Sequence, residues 1–210
     1  TQVEPMLAAP PAEEALAIGR LLGVRHLTAL SLHMLAIIAT LELRWVDAKV
    51  HMEAARSAWM DIGDRAGVGM ALMILGEIEY ELGNLAVSRE RAEEALVIFE
   101  AIGHDSGAAF ALVRVGRVAH HRGDRVSALT AYRNALVLWA GIGERWASIK
   151  ALVGLAEIAA TGRQPETAAV LLGVTDQRAS ETGGGVFPVD RGHYERAMSA
   201  AIAALGERRL

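Results

Sequence analysis

The feature that most constrains this chain is a sequence repeat with a period of 40. The dipeptide Ile-Gly stands at positions 62–63, 102–103 and 142–143, and Gly23 marks the same phase one period earlier. The same interval separates the members of four further series, which are Ala36, Gly76, Gly116 and Ala156; Ala48, Ser88, Ala128 and Ala168; Ala15, Ala55, Ala95 and Ala135; and Trp59, Phe99 and Trp139. A period of this length is typical of proteins built from stacked units that contact only their neighbours.

Each period has the content of two helices joined by a short turn. Apolar residues return every three or four positions from Ala66 to Leu82, and the pattern resumes from Leu85 to Ala101. Gly83-Asn84 suits the break between them, because glycine accepts the left-handed conformation and Asn or Asp can cap the first amides of a helix. The equivalent breaks are expected at Gly123-Asp124, and at Gly162 and Pro165. No long stretch alternates with a period of two, so we expect an all-α protein.

The composition agrees with closely packed helices. Apolar residues make up 52% of the chain, yet aromatic residues are only 5%, and alanine is the most frequent residue type. Small side chains where helices cross allow their axes to approach closely. We therefore expect a right-handed α-solenoid that forms one domain over residues 1–210, with the period ending after Thr182. Its expected parts are four helix pairs at about 24–63, 64–103, 104–143 and 144–182, a preceding half-repeat at 12–23 and a capping helix at 189–207.

The residue pattern of these repeats resembles the tetratricopeptide repeat (TPR). The family's order of large apolar residue, Leu, Gly, Ala and Ala is matched by Leu72, Leu75, Gly76, Ser88 and Ala95. The next repeat matches it with Leu112, Val115, Gly116, Ala128, Tyr132 and Ala135. The chain departs from the family in its period of 40 rather than 34 and in an Ile-Gly turn where the family has a closing proline. The resemblance implies a TPR-like helix-pair fold.

The C-terminal part resembles the end of the repeat domain in large bacterial transcriptional regulators of the LuxR/MalT-like and antibiotic-regulator (signalling ATPase) kinds. The matching residues are Ala168–Gly173, Arg178, Gly183, Pro188, Arg191, Tyr194–Arg196 and Leu205-Gly206. Such regulators join a signalling ATPase to a helical sensor and a helix-turn-helix, and some relatives carry a cyclase domain. The resemblance implies a cytoplasmic sensor module, and the half-repeat at 12–23 makes us expect a fragment of a longer protein. The alternative is a free-standing protein–protein interaction adaptor with no role in transcription.

Several classes of function are disfavoured by what the sequence lacks. The absence of cysteine excludes disulfides, zinc ribbons and thiol nucleophiles. No phosphate-binding Gly-x-x-x-x-Gly-Lys-Ser/Thr motif occurs, and a net charge of −4 does not suit a nucleic-acid-binding face. The longest uncharged run, residues 26–41, is shorter than the roughly 20 residues of a membrane-spanning helix. We expect no enzymatic activity, cofactor, metal site, nucleic-acid contact or membrane contact.

A binding site is expected on the concave surface, which the first helix of each pair lines in solenoids of this kind. Phase from the Gly76 series selects the inward positions, and the candidate groove residues are His33, Met70, Met73, Glu77, Tyr80, Phe110, Arg114, Arg117, His120, Lys150 and Glu157. The expected ligand is a protein or peptide segment, or a small-molecule effector. Arg114 and Arg117 lie one helical turn apart and could hold a carboxylate or phosphate together. The open ends of the solenoid suggest self-association as well.

Two alternatives remain open for these residues. Glu77, Arg117 and Glu157 could pair with one another across adjacent repeats, and Met70 and Met73 could be core residues, although methionine also suits adaptable binding surfaces. If the groove assignment is right, Arg117→Glu combined with Tyr80→Ala abolishes ligand binding and leaves helicity and thermal stability nearly unchanged.

Overall fold

A computed structural model describes residues 9–182, 186 and 188–207. These residues form ten helices and no strand, so the expectation of an all-α protein is confirmed. The helices are α1 Ala9–Leu22, α2 Arg25–Leu41, α3 Trp45–Asp61, α4 Arg65–Glu81, α5 Leu85–Ala101, α6 Asp105–His121, α7 Arg125–Ile142, α8 Ser148–Thr161, α9 Pro165–Thr182 and α10 Pro188–Glu207. None of the described helices is both long and apolar enough to cross a bilayer.

The chain divides into two compact units, Thr1–Gly107 and Ala108–Leu210. In the first unit each of the helices α1 to α5 packs against the next. In the second unit α7 packs on α8, α8 on α9, and α10 on both α8 and α9. That the whole chain forms one domain with the repeat boundaries given above stays a prediction.

Glycine ends most helices, as the period predicts. Gly63, Gly103 and Gly143, with the three other turn glycines, have φ between 66° and 82°, a conformation that a β-carbon disfavours. The fourth pair differs from the expectation. Gly162 has a negative φ of −84° and the left-handed residue there is Arg163, while Leu43 takes the same conformation in the first pair. Both turns therefore accept a cost of about 1 kcal/mol that glycine would avoid.

The capping residues only partly follow the prediction. The carboxylate of Asp64 accepts a hydrogen bond from Gly67 N–H at 2.8 Å, and Asp124 accepts one from Ser127 N–H at 3.0 Å. Asn84 does not cap α5, because its amide donates to the buried carboxylate of Glu79 instead. The expectation that the side chain of Asn84 caps α5 is therefore wrong.

Small residues pack where helices cross, and one set of close approaches involves a series that the sequence pattern did not reveal. A β-carbon added at Gly67 would lie 2.5 Å from the ring of Trp59, and one added at Gly107 would lie 2.5 Å from Phe99. These glycines are one period apart, and Ala147 continues the series. The aromatic ring of one helix pair thus packs directly on the backbone of the next first helix. In the second unit, Ala147 and the buried ring of Trp139 belong to the same hydrophobic cluster.

The C-terminal helix extends the period further than expected. α10 begins one period after α8 and packs on α8 and α9, as the first helix of another pair would. Asp190 and His193 follow Lys150 and Val153 by the same interval. The sequence pattern led us to expect the period to end after Thr182, and α10 nevertheless begins one period after α8. Gly183, which continues the turn series, lies outside the described residues.

Candidate binding surface

The candidate groove residues of the first unit lie on α2 and α4. His33 and Glu77 are buried, Met73 and Tyr80 are half-buried, and Met70 is 39% exposed. The core of this unit is filled from other sides of the same helices, by residues such as Leu35 and Leu75. Of the two methionines, Met70 is therefore not a core residue.

The first unit carries an exposed apolar stripe along α2. Leu30 is 45% exposed, Met34 and Leu41 are each 44% exposed, and Ile37 between them is half-buried. The spacing of 4, 3 and 4 residues keeps all four on one face of the helix. Met70 and Ile74 occupy the same positions on α4, one period after Leu30 and Met34. Met34 and Leu41 were missed as candidates, although their helical spacing from Leu30 would have identified them.

Two buried polar side chains lie on the helices that carry this apolar stripe. The Nδ1 atom of His33 is buried and has no hydrogen-bond partner, and burial lowers the pKa of this imidazole below its ordinary value. The ring is therefore neutral at pH 7. Glu79 on α4 is also buried, and its carboxylate accepts from Lys49 Nζ at 2.7 Å and from Asn84. These contacts tie α4 to α3 and to the following turn, so Glu79 has a structural role.

In the second unit, Phe110 belongs to an aromatic cluster. Its ring centroid lies 5.0 Å from that of Trp139 in an edge-to-face arrangement and 5.9 Å from that of Trp146. Trp139 is buried in the core of this unit, whereas Trp146 is partly exposed. Phe110 therefore contributes packing energy, and only part of its half-buried ring is available to a ligand.

The predicted cations of the second unit converge on one carboxylate. Asp190, in the first turn of α10, accepts a hydrogen bond from the Arg117 guanidinium and one from Lys150 Nζ at 2.5 Å. Asp190 is 0% exposed, Arg117 4% and Lys150 8%. Sequence reasoning missed Asp190 because the period was expected to end before it. The spacing of one full period from Lys150 was the signal that could have found it.

The electrostatics of this cluster follow from burial and from the crowding of cations. Although burial alone would raise the pKa of Asp190, the charges of Arg117, Lys150 and Arg114 hold it far below its ordinary value. Burial, assisted by the neighbouring cations, lowers the pKa of Lys150 to about 8 and that of Arg114 to about 9. Asp190 is therefore ionised at neutral pH, in the field of three buried cationic side chains.

A second polar contact holds α10 one turn further along. Glu157 on α8 contacts His193 Nδ1 at 2.9 Å and the guanidinium of Arg196 at 3.3 Å. Burial alone would raise the pKa of Glu157, but these two partners lower it below its ordinary value. The pKa of His120, another candidate residue, is lowered below its ordinary value, and burial is the largest cause. Arg117 and Glu157 thus both contact residues of α10. The sequence pattern suggested partners for them only on the first helices of the four predicted repeats.

The burial of Arg117 corrects one expectation. Arg117→Glu would place a second carboxylate against that of Asp190 in a buried site, and breaking a buried ion pair costs about 3–5 kcal/mol. The double variant that includes this change cannot leave stability nearly unchanged. Among the described residues, no group of three or more His, Asp and Glu side chains is arranged to hold a metal ion.

No protein family and no curated protein matches this chain in sequence. Solved structures do resemble it. BtubC (BKLC) from P. vanneervenii superposes with a TM-score of 0.72 at 15% identity over 98% of this chain and 85% of that one. The apo form of RapI gives a TM-score of 0.67 at 16% identity over 97% and 79%. TPR-like repeats assigned to a kinesin light chain of Podosopora anserina give 0.59 at 15% identity over 85% and 87%.

These similarities confirm the predicted fold class. The chain has an all-α, TPR-like helical-repeat fold. At 15–16% identity the likeness concerns the arrangement of helices alone.

Proposed function

We propose that this chain is a non-enzymatic repeat module that binds a helical segment of another protein on the α2 and α4 faces of its first unit. The observation that carries the proposal is the uncharged stripe of Leu30, Met34, Leu41 and Met70, all exposed to solvent. Exposed apolar surface of this kind is costly in a soluble protein and marks interaction sites. Methionine adapts its shape to a partner at low cost, so it suits a surface of this type.

The spacing of the stripe suits a helical ligand. The stripe's residues repeat every three or four positions along α2. The apolar face of an amphipathic helix has the same spacing, so such a helix could pack along the stripe. A partner helix with apolar residues at positions i, i+3 or i+4, and i+7 would contact Leu30, Met34 and Ile37 along one side. The half-buried candidate residues Met73 and Tyr80 belong to the α4 side of the same proposed surface, whereas Glu77 is buried.

The experiment that tests this function begins with a helical peptide selected from a displayed library against the immobilised full chain. The affinity of that peptide is then measured by fluorescence anisotropy for the wild type and for Leu30→Glu with Met70→Glu. Both side chains are exposed, so we expect the double variant to fold normally and to bind at least about a hundredfold more weakly, because two charges would be buried against an apolar ligand.

The matched control is Val97→Glu with Val137→Glu, which introduces the same charges at exposed valines on the second helices α5 and α7. This control should bind the selected peptide as the wild type does. Equal loss of affinity in both double variants would mean that charge repulsion is responsible, and unchanged affinity in the Leu30/Met70 variant would rule out this surface.

The resemblance to LuxR/MalT-like and antibiotic-regulator proteins supports a finer proposal, in which the module is the sensor part of a multidomain bacterial transcriptional regulator. Segment binding would then bias an attached ATPase and DNA-binding domain. The competing proposal is a free-standing adaptor. The complete reading frame separates the two: an ATPase or helix-turn-helix in the same frame supports the regulator, and a frame that codes for the repeats alone supports the adaptor.

A further inference from the structure

The second unit contains a carboxylate-binding site that the chain itself fills. Arg117 and Lys150 reach it from α6 and α8, and each contacts a different oxygen of Asp190. Arg114, one turn before Arg117, is also buried and acts electrostatically on the same carboxylate. Two donors that bind separate oxygens, with a third cation nearby, favour an ionised carboxylate.

The rest of the α10 contact combines polar side chains with small and half-buried apolar ones. Its buried side chains are Asp190, His193, Ala197 and Ala201, which follow one another at intervals of three and four residues along one face. The two alanines bury one methyl group each, Tyr194 and Met198 pack half-buried against the apolar clusters of this unit, and Ile202 is exposed. Charged contacts thus carry much of the specificity with which α10 is held.

Two features make this contact exchangeable. A buried ion pair gains little net free energy, because the desolvation of both partners offsets most of their attraction, so another carboxylate can replace the first at low cost. Gly192 lies in the second turn of α10, next to the anchoring Asp190 and His193, and glycine lowers the intrinsic stability of a helix. The hydroxyl of Tyr194 also donates a hydrogen bond to Asp176 on α9, and this contact too is polar and exposed.

We infer that Arg114, Arg117 and Lys150 form a recognition site for an acidic helical protein segment, and that α10 is its built-in competitor. The ligand carries Asp or Glu in its first turn, a hydrogen-bonding residue three positions later and small residues seven and eleven positions later, as α10 does. Binding transfers Arg117 and Lys150 from Asp190 to the carboxylate of the ligand and releases the first turns of α10. This inference rests on the proposed function as a segment-binding module, but it concerns the second unit.

The test uses the full chain with a specific protease sequence inserted after Gly184 and cleaved after purification. The probe is a fluorescein-labelled peptide with the sequence of residues 186–207, which contains α10 and its Asp190. We expect the labelled peptide to exchange with the resident helix, measured by anisotropy. The same peptide with the D190N change should bind at least about tenfold more weakly, since a charged hydrogen bond is lost. Equal affinities for the two peptides would overturn the inference.

A second measurement covers the case in which the cleaved chain loses helicity. The intact chain is followed by amide hydrogen exchange with increasing concentrations of the same two unlabelled peptides. We expect the Asp peptide, and not the Asn peptide, to accelerate exchange in residues 190–200. Inorganic phosphate is tested in parallel: if it releases α10 as well as the Asp peptide does, the site is a small-anion pocket and the inference is wrong.

The two proposals fail separately. Leu30→Glu with Met70→Glu alters only the first unit and should leave the peptide exchange at Asp190 unchanged. Loss of the exchange in that variant would contradict the assignment of this site to the second unit. A chain that binds its selected peptide at α2 and α4 but shows no carboxylate-dependent exchange would retain the proposed function without the competitor helix.

Discussion

At the scale of single residues, glycine has two different roles in the interior of these helices. Gly154 on α8 faces the ring of Tyr132, and a β-carbon added there would overlap that ring. Gly173 on α9 is exposed, and a β-carbon added there would have no neighbour within 4 Å. Since both lie within helices of the second unit, they separate the effect of close packing from that of helix propensity.

We therefore predict opposite effects for the same substitution at these two positions. Gly154→Ala should destabilise the protein by about 1–3 kcal/mol, because Tyr132 is buried and cannot move without disturbing its neighbours. Gly173→Ala should stabilise it by about 0.5–1 kcal/mol, since alanine favours the helical backbone. Urea denaturation followed by circular dichroism gives both values. Destabilisation by Gly173→Ala would mean that α9 has a neighbour at this position.

At the scale of elements, the attachment of α10 depends on the ionisation of Glu157 and Asp190. The pKa of each carboxyl is lower in the folded chain than its ordinary value, which for Glu is about 4.3 in an unfolded chain. The unfolded state therefore binds more protons in the acid range. The stability that these carboxylates contribute is present above about pH 4.3 and is lost as the pH falls through their folded pKa values.

The variant Glu157→Gln should isolate the share of Glu157. At pH 7 we expect it to be less stable than the wild type by about 1–2 kcal/mol, because a charged partner of His193 and Arg196 is lost. The difference should shrink below about pH 4, where the wild-type carboxyl takes up a proton on unfolding. Glu195→Gln on the exposed side of α10 is the control and should track the wild type at every pH. A constant difference between neutral and acid pH, measured by urea denaturation, would contradict the assigned ion pairs.

At the scale of the whole molecule, the repeat period predicted most of the helices and their turns, because glycine at a left-handed turn and small residues at crossings are local requirements. The sequence could not predict the left-handed Arg163, since no residue preference identifies a strained turn. The sequence also could not show which of the candidate groove positions are exposed and which are buried. Met70 and Lys150 hold the same position in the period, yet Met70 is exposed and Lys150 is buried, because α10 supplies Asp190 against it.

The net charge of −4 leads to a prediction about the whole chain. Binding to duplex DNA requires a face that neutralises several phosphates, and most cations that the inward positions offer are already engaged with carboxylates, as Lys150 and Arg117 are with Asp190. We expect no saturable binding of a fluorescein-labelled DNA duplex up to micromolar protein at low salt. Anisotropy at about 50 and 200 mM salt tests this, with a known DNA-binding domain as the positive control. Affinity that falls steeply as salt rises would instead mean that phosphate contacts form and that the chain binds DNA directly.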